Sequence, residues 1–365
     1  MKADAEALSP DFGERLARAR TDLRAGVPVV ISGGGARLCC AAVETLAGDR
    51  LAGLRALGDP VLALTRRRAE TLKVRAYDGD FARVALPADA GLGFVLALAD
   101  PATDLEMPMK GPLAAVRGGD AGLFRGAIGL AKSARLLPAV AGVMLADGAE
   151  APAGLTELEQ AELATALDAQ MMLKRVVSAR VPLKIAGEAR LHVFRPEDGG
   201  EEHYAIEVGR PDRAAPVLAR LHSACFTGDL LGSRKCDCGA QLDAALTALG
   251  EAGEGVLLYL NQEGRGIGLA NKMRAYALQD QGFDTVEANH RLGFEDDERD
   301  FRLGASILLQ MGFSRARLMT NNPAKVEMLA ANGVEVTERI ALKAGHTEDN
   351  RHYLRTKAEK SGHLL

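Results

Sequence analysis

The chain has 365 residues, 47% of them hydrophobic, which is more than a single core ordinarily serves, so two domains of common size are expected. A formal charge of −4 excludes a general attraction to nucleic acid or to an anionic membrane, and any phosphate must be bound locally. Apolar runs such as residues 136–145 fall far short of the roughly 20 residues a spanning helix needs, and the first 20 residues read as a polar helix rather than a signal peptide, so a cytoplasmic protein is expected.

In chain order, a Gly/Ala/Pro stretch at residues 147–154 precedes a helical pattern that Thr156 and Glu159 are placed to cap. Residues 171–181 then lead into alternating strands that begin near Leu183. The boundary is set near residue 174, giving domains 1–173 and 174–365. All seven histidines follow Leu191, so the two halves do different work. In the second half, strand patterns at 255–260 and 316–320 alternate with helical ones at 269–281 and 323–332, which reads as an α/β (mixed α+β) fold. The last helix has Asn322 to cap it, Pro323 in its first position and Gly333 just past its end. The TNNP loop therefore sits where a strand feeds a helix, a common place for ligands.

Three of the five cysteines, Cys225, Cys236 and Cys238, crowd into fourteen residues, which in a reducing compartment suggests metal rather than disulfide. Cys236 and Cys238 would face opposite sides of a regular strand, so they can share an ion only in a turn, with which Gly239 agrees. Three thiolates leave a fourth tetrahedral position, kept for water in a catalytic zinc site. The plainer alternative is a structural site with His222 as fourth ligand, or three buried cysteines.

After the strand GVLLYL comes NQEGRGIGL, where Gly264, Gly266 and Gly268 let backbone approach a ligand and Arg265 can fork onto phosphate. An ordinary strand-to-helix loop with a solvated arginine is the alternative. The run GFEDDERDFRLG gathers Glu295, Asp296, Asp297, Glu298 and Asp300 around Arg299 and Arg302, suited to proton transfer, magnesium or phosphate. Such runs are more often solvated helix starts. Periodicity alone makes Tyr276 a half-buried packing residue.

From about residue 174 onward, RLHSAC, CDCGAQLDAAL, NQEGRGIGL, RAYALQDQGFDTVEANHRLGF, DERDF, TNNPAKVEML and the terminal HYLRTKAEKSGHLL resemble GTP cyclohydrolase II. The resemblance implies that Cys225, Cys236 and Cys238 bind one zinc ion per subunit and that Asp297 is the proton acceptor. It further implies that Arg299 is the nucleophile toward the α-phosphorus of GTP and that Tyr276 is a catalytic-site tyrosine. By the same matching, Arg220, Leu221, His222, Ser223, Ala224, Gln241, Glu263, Gly264, Arg265, Thr285, Thr320 and Lys325 line the GTP site. Where that family reads His-Ser-Glu-Cys, this chain has Ala224 before Cys225, so one carboxylate is missing beside the cluster.

The resemblance implies zinc-activated water opening the guanine ring at C8, loss of that carbon as formate, and release of pyrophosphate with magnesium on the triphosphate. It implies a homodimer. Residues 22–172 are similar to 3,4-dihydroxy-2-butanone 4-phosphate synthase through DLRAGVPVVIS, GDPVLALTRRRAETL and GAIGLAKSARLLPAVAGVMLADG. The acidic run expected after its first strand is replaced by Ser32, Gly33, Gly34, Gly35, Ala36, Arg37 and Leu38. The expected Gly-His-Thr-Glu segment reads Gly122, Leu123, Phe124, Arg125, so this domain is expected to be inactive. The competing readings are a bifunctional fusion enzyme, a zinc-dependent regulatory protein that binds GTP without turnover, and a paralogue that stops at the formamide.

Overall fold

A computed structural model describes residues 8–146 and 148–345; the terminal motif at 352–365 lies outside the described residues. By contacts the chain divides into two units, Met1–Ala169 with Ala270–Asp297, and Gln170–Leu269 with Glu298–Leu365. Residues 270–297, which the sequence reading leaves in the second domain, thus cluster with the first.

The first unit is built on β1 (Val29–Gly33), β2 (Ala36–Ala42), β3 (Val61–Thr65), β4 (Phe81–Ala85), β5 (Ala139–Met144) and β6 (Glu157–Glu159). They form one sheet in the order β4-β3-β5-β2-β1-β6, antiparallel except where β1 meets β6. Both faces are covered, so the strands read as continuous apolar runs. Alternation sends Ile31, Cys40 and Phe81 to one face, against helices Phe12–Arg24 and Gly122–Ser133. Cys39, Leu62 and Val84 go to the other, against Gly48–Leu57 and Leu92–Ala99. The first helix starts at Phe12, where Asp11 and Glu14 close a reciprocal capping box.

Between β1 and β2 the chain reverses in two residues, Gly34 at φ 59° and Gly35 at φ 82°, the left-handed pair that a tight hairpin requires. Helix Gly122–Ser133 buries Leu123 and Phe124, while Arg125 pairs with Asp80. Residues 270–297 join this unit through directed bonds: Thr65 Oγ1 donates to Gly293 O at 2.7 Å, Asn271 Nδ2 to Arg135 O at 3.0 Å, and Arg67 forks onto Glu295. Inside the unit, Asp104 accepts from Arg68 and Lys110, and Arg68 also caps the carbonyls of Ala97 and Leu98.

Two expected starts move. The helix expected at Thr156 begins at Gln160, where Glu159 caps it by accepting from the N–H groups of Ala161 and Glu162. Thr156 instead donates to the Asp22 carboxylate at 2.6 Å. The strands expected from Leu183 begin at Leu173, because residues 173–180 find a partner strand that local alternation does not reveal.

The second unit carries β7 (Leu173–Arg180), β8 (Ala189–Pro196), β9 (His203–Val208), β10 (Val217–Ser223), β11 (Gly255–Leu260), β12 (Arg315–Met319) and β13 (Glu335–Ile340). The order is β13-β12-β10-β11-β9-β8-β7: the first four are parallel, with helices Cys238–Ala252 and Pro323–Ala331 as crossovers, and β9, β8 and β7 extend the sheet antiparallel. Connections leave β10 and β12 in opposite directions, toward β11 and β13. The carboxyl ends of these two strands therefore flank a switch point, where α/β sheets bind ligands.

On the antiparallel side, buried Glu207 accepts from His192 Nε2 at 2.8 Å and from Arg213 at 2.6 Å. Burial pushes the His192 pKa down, and Glu207 only partly offsets it. Burial would raise Glu207, but Arg213 and His192 hold its carboxyl below the ordinary value. Both shifts have the same sign in linkage, since the unfolded chain takes up protons that the fold resists. Stability is expected to fall as pH drops through about 6.5 for His192 and again below about 4.5 for Glu207. Melting temperature measured from pH 7.5 to 5 should decline, and His192→Gln should flatten that slope; an unchanged slope would remove this pair as the cause.

Candidate active site

β10 runs out at Ser223, and two residues later Cys225 begins a tight loop that returns to the chain at Cys236 and Cys238. Cys238 is the first residue of helix Cys238–Ala252, so the expected turn is a helix start, which lets both cysteines face one point. The three sulfurs lie within 4.8 Å of one another, and Cys225 Sγ is 3.7 Å from Cys236 Sγ. A tetrahedron with arms of about 2.3 Å has edges near 3.8 Å, so this spacing fits zinc–thiolate geometry. Among the described residues this is the one group of three or more His, Cys, Asp or Glu side chains gathered closely enough to hold an ion. The hydrogen bond from Cys225 holds the Cys236 thiol above its ordinary pKa, so metal binding here would release protons. Cys39 and Cys40 are buried in the first unit, and burial alone pushes Cys39 up to about 11.

Two residues the sequence reading passed over support the cluster. A Cβ on Gly228 would stand 3.0 Å from Cys236 Sγ and 3.1 Å from Cys225 Sγ, so the thiols close on one another only over a glycine. Asp229 accepts from the Cys225 backbone N–H at 2.9 Å, from Tyr259 O–H at 3.0 Å and from His222 Nε2. A lone aspartate between cysteines carries no sequence signal, because its partners come from two other strands. His222 is not among the side chains gathered with the three sulfurs, so the reading of it as fourth metal ligand has no support in this arrangement.

The glycine-rich loop is a short 3₁₀ stretch in which Gly264 and Arg265 both hold left-handed backbone, at φ 63° and 61°. Gly266 is needed for a backbone neighbour: its Cβ would meet Glu298 O at 2.7 Å. The loop also fixes that neighbour, as Glu298 N–H donates to Arg265 O. Glu263 is buried and accepts from the Phe226 N–H at 2.6 Å, tying the loop to the cysteine turn.

The Glu298 approach brings Arg299 to the end of β10, where its guanidinium donates to Ser223 Oγ at 3.4 Å. Phe301 lies beneath two cations, with Arg299 4.7 Å and Lys325 5.0 Å from its ring centre. Lys325 also donates to Leu221 O at 2.8 Å. Arg220 is buried, donating to Met319 O and Gln241 Oε1, and burial pushes its pKa down to about 10. Thr320 Oγ1 accepts from the Asn322 N–H, Ala224 N–H donates to Leu260 O, and the Leu221 side chain lies in the core.

These residues converge on the carboxyl ends of β10, β11 and β12. Tyr276, Thr285 and Asp297 belong instead to the first unit, where Tyr276 is half-buried and Asp297 exposed. Within the acidic run, Glu295 pairs with Arg67, Asp296 with His290 and Asp300 with Arg302.

Residues 174–341 match the family model described as GTP cyclohydrolase II. A protein of Azospirillum brasilense named GTP cyclohydrolase-2 is 45% identical over 358 residues, 95% of this chain and 93% of its own. The chain belongs to the GTP cyclohydrolase II family. Another member, named GTP cyclohydrolase-2 in Shigella dysenteriae serotype 1, is 55% identical over 195 residues, which is 99% of its length but 53% of this chain. GTP cyclohydrolase II relatives therefore occur both at the length of the matched half and at the length of the whole. A solved structure described as a two-domain 3,4-dihydroxy-2-butanone 4-phosphate synthase from A. baumannii covers 90% of this chain and 99% of its own. It is 17% identical with a TM-score of 0.32, too low to define the first unit's fold.

Proposed function

We infer that the chain is a GTP cyclohydrolase II, hydrolysing GTP to formate, pyrophosphate and 2,5-diamino-6-hydroxy-4-(5-phosphoribosylamino)pyrimidine, the first committed step of riboflavin synthesis. The observation that carries this reading is the trio of Cys225, Cys236 and Cys238 at a switch point, in a chain that matches a GTP cyclohydrolase-2 almost end to end. The three thiolates hold one zinc ion per subunit, and an ion so held supplies Lewis-acid activation of water at neutral pH.

The chain's own residues do the rest. Arg220, His222, Ser223, Gln241, Glu263, Gly264, Arg265, Thr285, Thr320 and Lys325 contact GTP, with the backbone at Leu221 and Ala224. Arg299 attacks the α-phosphorus, displacing pyrophosphate, and its place beside Ser223, against the Phe301 ring that Lys325 also contacts, suits a phosphate at the end of β10. Asp297 accepts the proton and Tyr276 works at the reacting base. Magnesium accompanies the triphosphate, where a divalent cation offsets charge. The catalytic domain is residues 174–365; the enzyme is a cytoplasmic homodimer without nucleic-acid or membrane partners. No described helix is long and apolar enough to cross a membrane.

Residues 1–173 are a synthase-like domain without that activity, kept for structure or dimerisation. The two-residue turn at Gly34 and Gly35 leaves no acidic loop there, and the buried Leu123 and Phe124 cannot ligate an ion. Turnover of ribulose 5-phosphate by the purified protein would overturn this assignment.

Purified protein with GTP, Mg²⁺ and Zn²⁺ should yield formate, pyrophosphate and the diaminopyrimidine phosphate, read by mass spectrometry. Intact GTP in a zinc-loaded protein would instead favour a GTP-binding regulator, and a formamide product a paralogue that stops halfway.

A further inference from the structure

Asp229 does more than brace a loop. Its Oδ2 accepts from the Cys225 N–H at 2.9 Å and from Tyr259 O–H at 3.0 Å, while His222 Nε2 lies 3.0 Å from Oδ2 and 3.1 Å from Oδ1. A carboxylate can only accept, so the imidazole proton between them belongs on Nε2. The His222 ring is also stacked on Tyr259, with centroids 5.6 Å apart and planes 22° from parallel, which holds its rotation.

That assignment leaves Nδ1 as a bare lone pair. His222 is 3% exposed, and its Nδ1 has no hydrogen-bond partner among the described residues. A buried acceptor without a donor is uncommon and costly, and the charges that act on this ring besides Asp229 are Arg220 and Lys325, two of the residues read as contacting GTP.

We propose that Asp229 is a positioning residue that holds His222 in its Nε2–H tautomer, presenting Nδ1 as an acceptor to an N–H or O–H donor arriving with the substrate. The donor is carried either by the nucleotide or by the water that reacts with it. The role rests on the proposed cyclohydrolase reaction for its purpose, but the tautomer itself does not.

Asp229→Asn separates positioning from bracing. Its amide oxygen, placed at Oδ2, still accepts from Cys225 and Tyr259, whereas its NH₂, placed at Oδ1, donates to Nε2 and drives the ring proton onto Nδ1. Nitrogen NMR of ¹⁵N-histidine-labelled, zinc-loaded protein reads this directly, with His222 assigned by its loss in His222→Gln. The wild type should show Nε2–H and Asp229→Asn Nδ1–H, with zinc content equal in both. Turnover (kcat/KM) for GTP should fall on the order of tenfold or more in Asp229→Asn, the cost of turning an acceptor into a donor against a buried partner.

Binding of a non-hydrolysable GTP analogue distinguishes the two donors. A matching loss of affinity places the donor on the nucleotide, and unchanged affinity with reduced kcat places it on water. Nδ1–H in the wild type, or full turnover with the proton moved, would overturn the proposal. If Asp229→Asn fails to fold or to hold zinc, the wild-type spectrum still decides, because it needs no variant at position 229. A wild type that releases no formate would instead count against the cyclohydrolase reaction, since the tautomer is read without substrate.

Discussion

Cys236→Ser is expected to lose its tightly held zinc and to cut formate release from GTP by more than roughly a hundredfold, since losing even an outer-shell partner of a metal ligand commonly costs 10–100-fold. Cys236 Sγ sits 3.7 Å from Cys225 Sγ, and its replacement leaves two thiolates and a hydroxyl that does not ionise at neutral pH. The loss should be chemical rather than structural, because serine matches cysteine in shape and the buried cores lie elsewhere. Metal content by mass spectrometry, formate release and circular dichroism on the same preparation make the check. Full zinc and full turnover in a folded variant would exclude the trio as the catalytic metal site.

The second large effect concerns stability. Asp104→Ala should destabilise the first unit by about 3–5 kcal/mol, because it leaves Arg68 and Lys110 as buried cations without their carboxylate. Arg68 is 1% exposed and Asp104 8%, so water cannot substitute for the lost partner. Arg291, 3.5 Å away, loses part of its support too. At about 2–4 °C per kcal/mol for a unit of this size, melting should drop by roughly 10 °C. Adding Arg68→Met should recover part of that, since an apolar side chain of similar volume removes one of the two uncompensated cations, while Lys110 stays unpaired with Asp104 and the Leu98 carbonyl loses its Arg68 donor. A single variant as stable as wild type would show that the cluster is already solvated.

Both effects depend on residues of very different legibility. The cysteine trio announces itself, because thiolates in that spacing have little other use in a reducing compartment, and strand 255–260 and the Asn322 cap are found where local signals put them. The Arg68–Asp104 pair spans thirty-six residues, and nothing near either one marks it. Likewise Tyr276 is half-buried as periodicity expects, but its assignment to the first unit follows from bonds such as Thr65 to Gly293, 228 residues apart.

What the amino-acid sequence determined by itself is the chemistry that depends on residue type and short spacing: three metal-ready thiols, an alternation of strands and helices in the second half, and a loop of glycines after a strand. What only the tertiary structure decided is which residues hold that chemistry in place. Gly228 is fixed by two sulfurs and the Cys238 Cβ packed around it, Gly266 by the backbone of Glu298, Phe301 by two cations from different segments, and Asp229 by donors from two strands and a loop. Each of those requirements is a contact between parts of the chain brought together by folding, so it leaves no period or motif along the chain to be read beforehand.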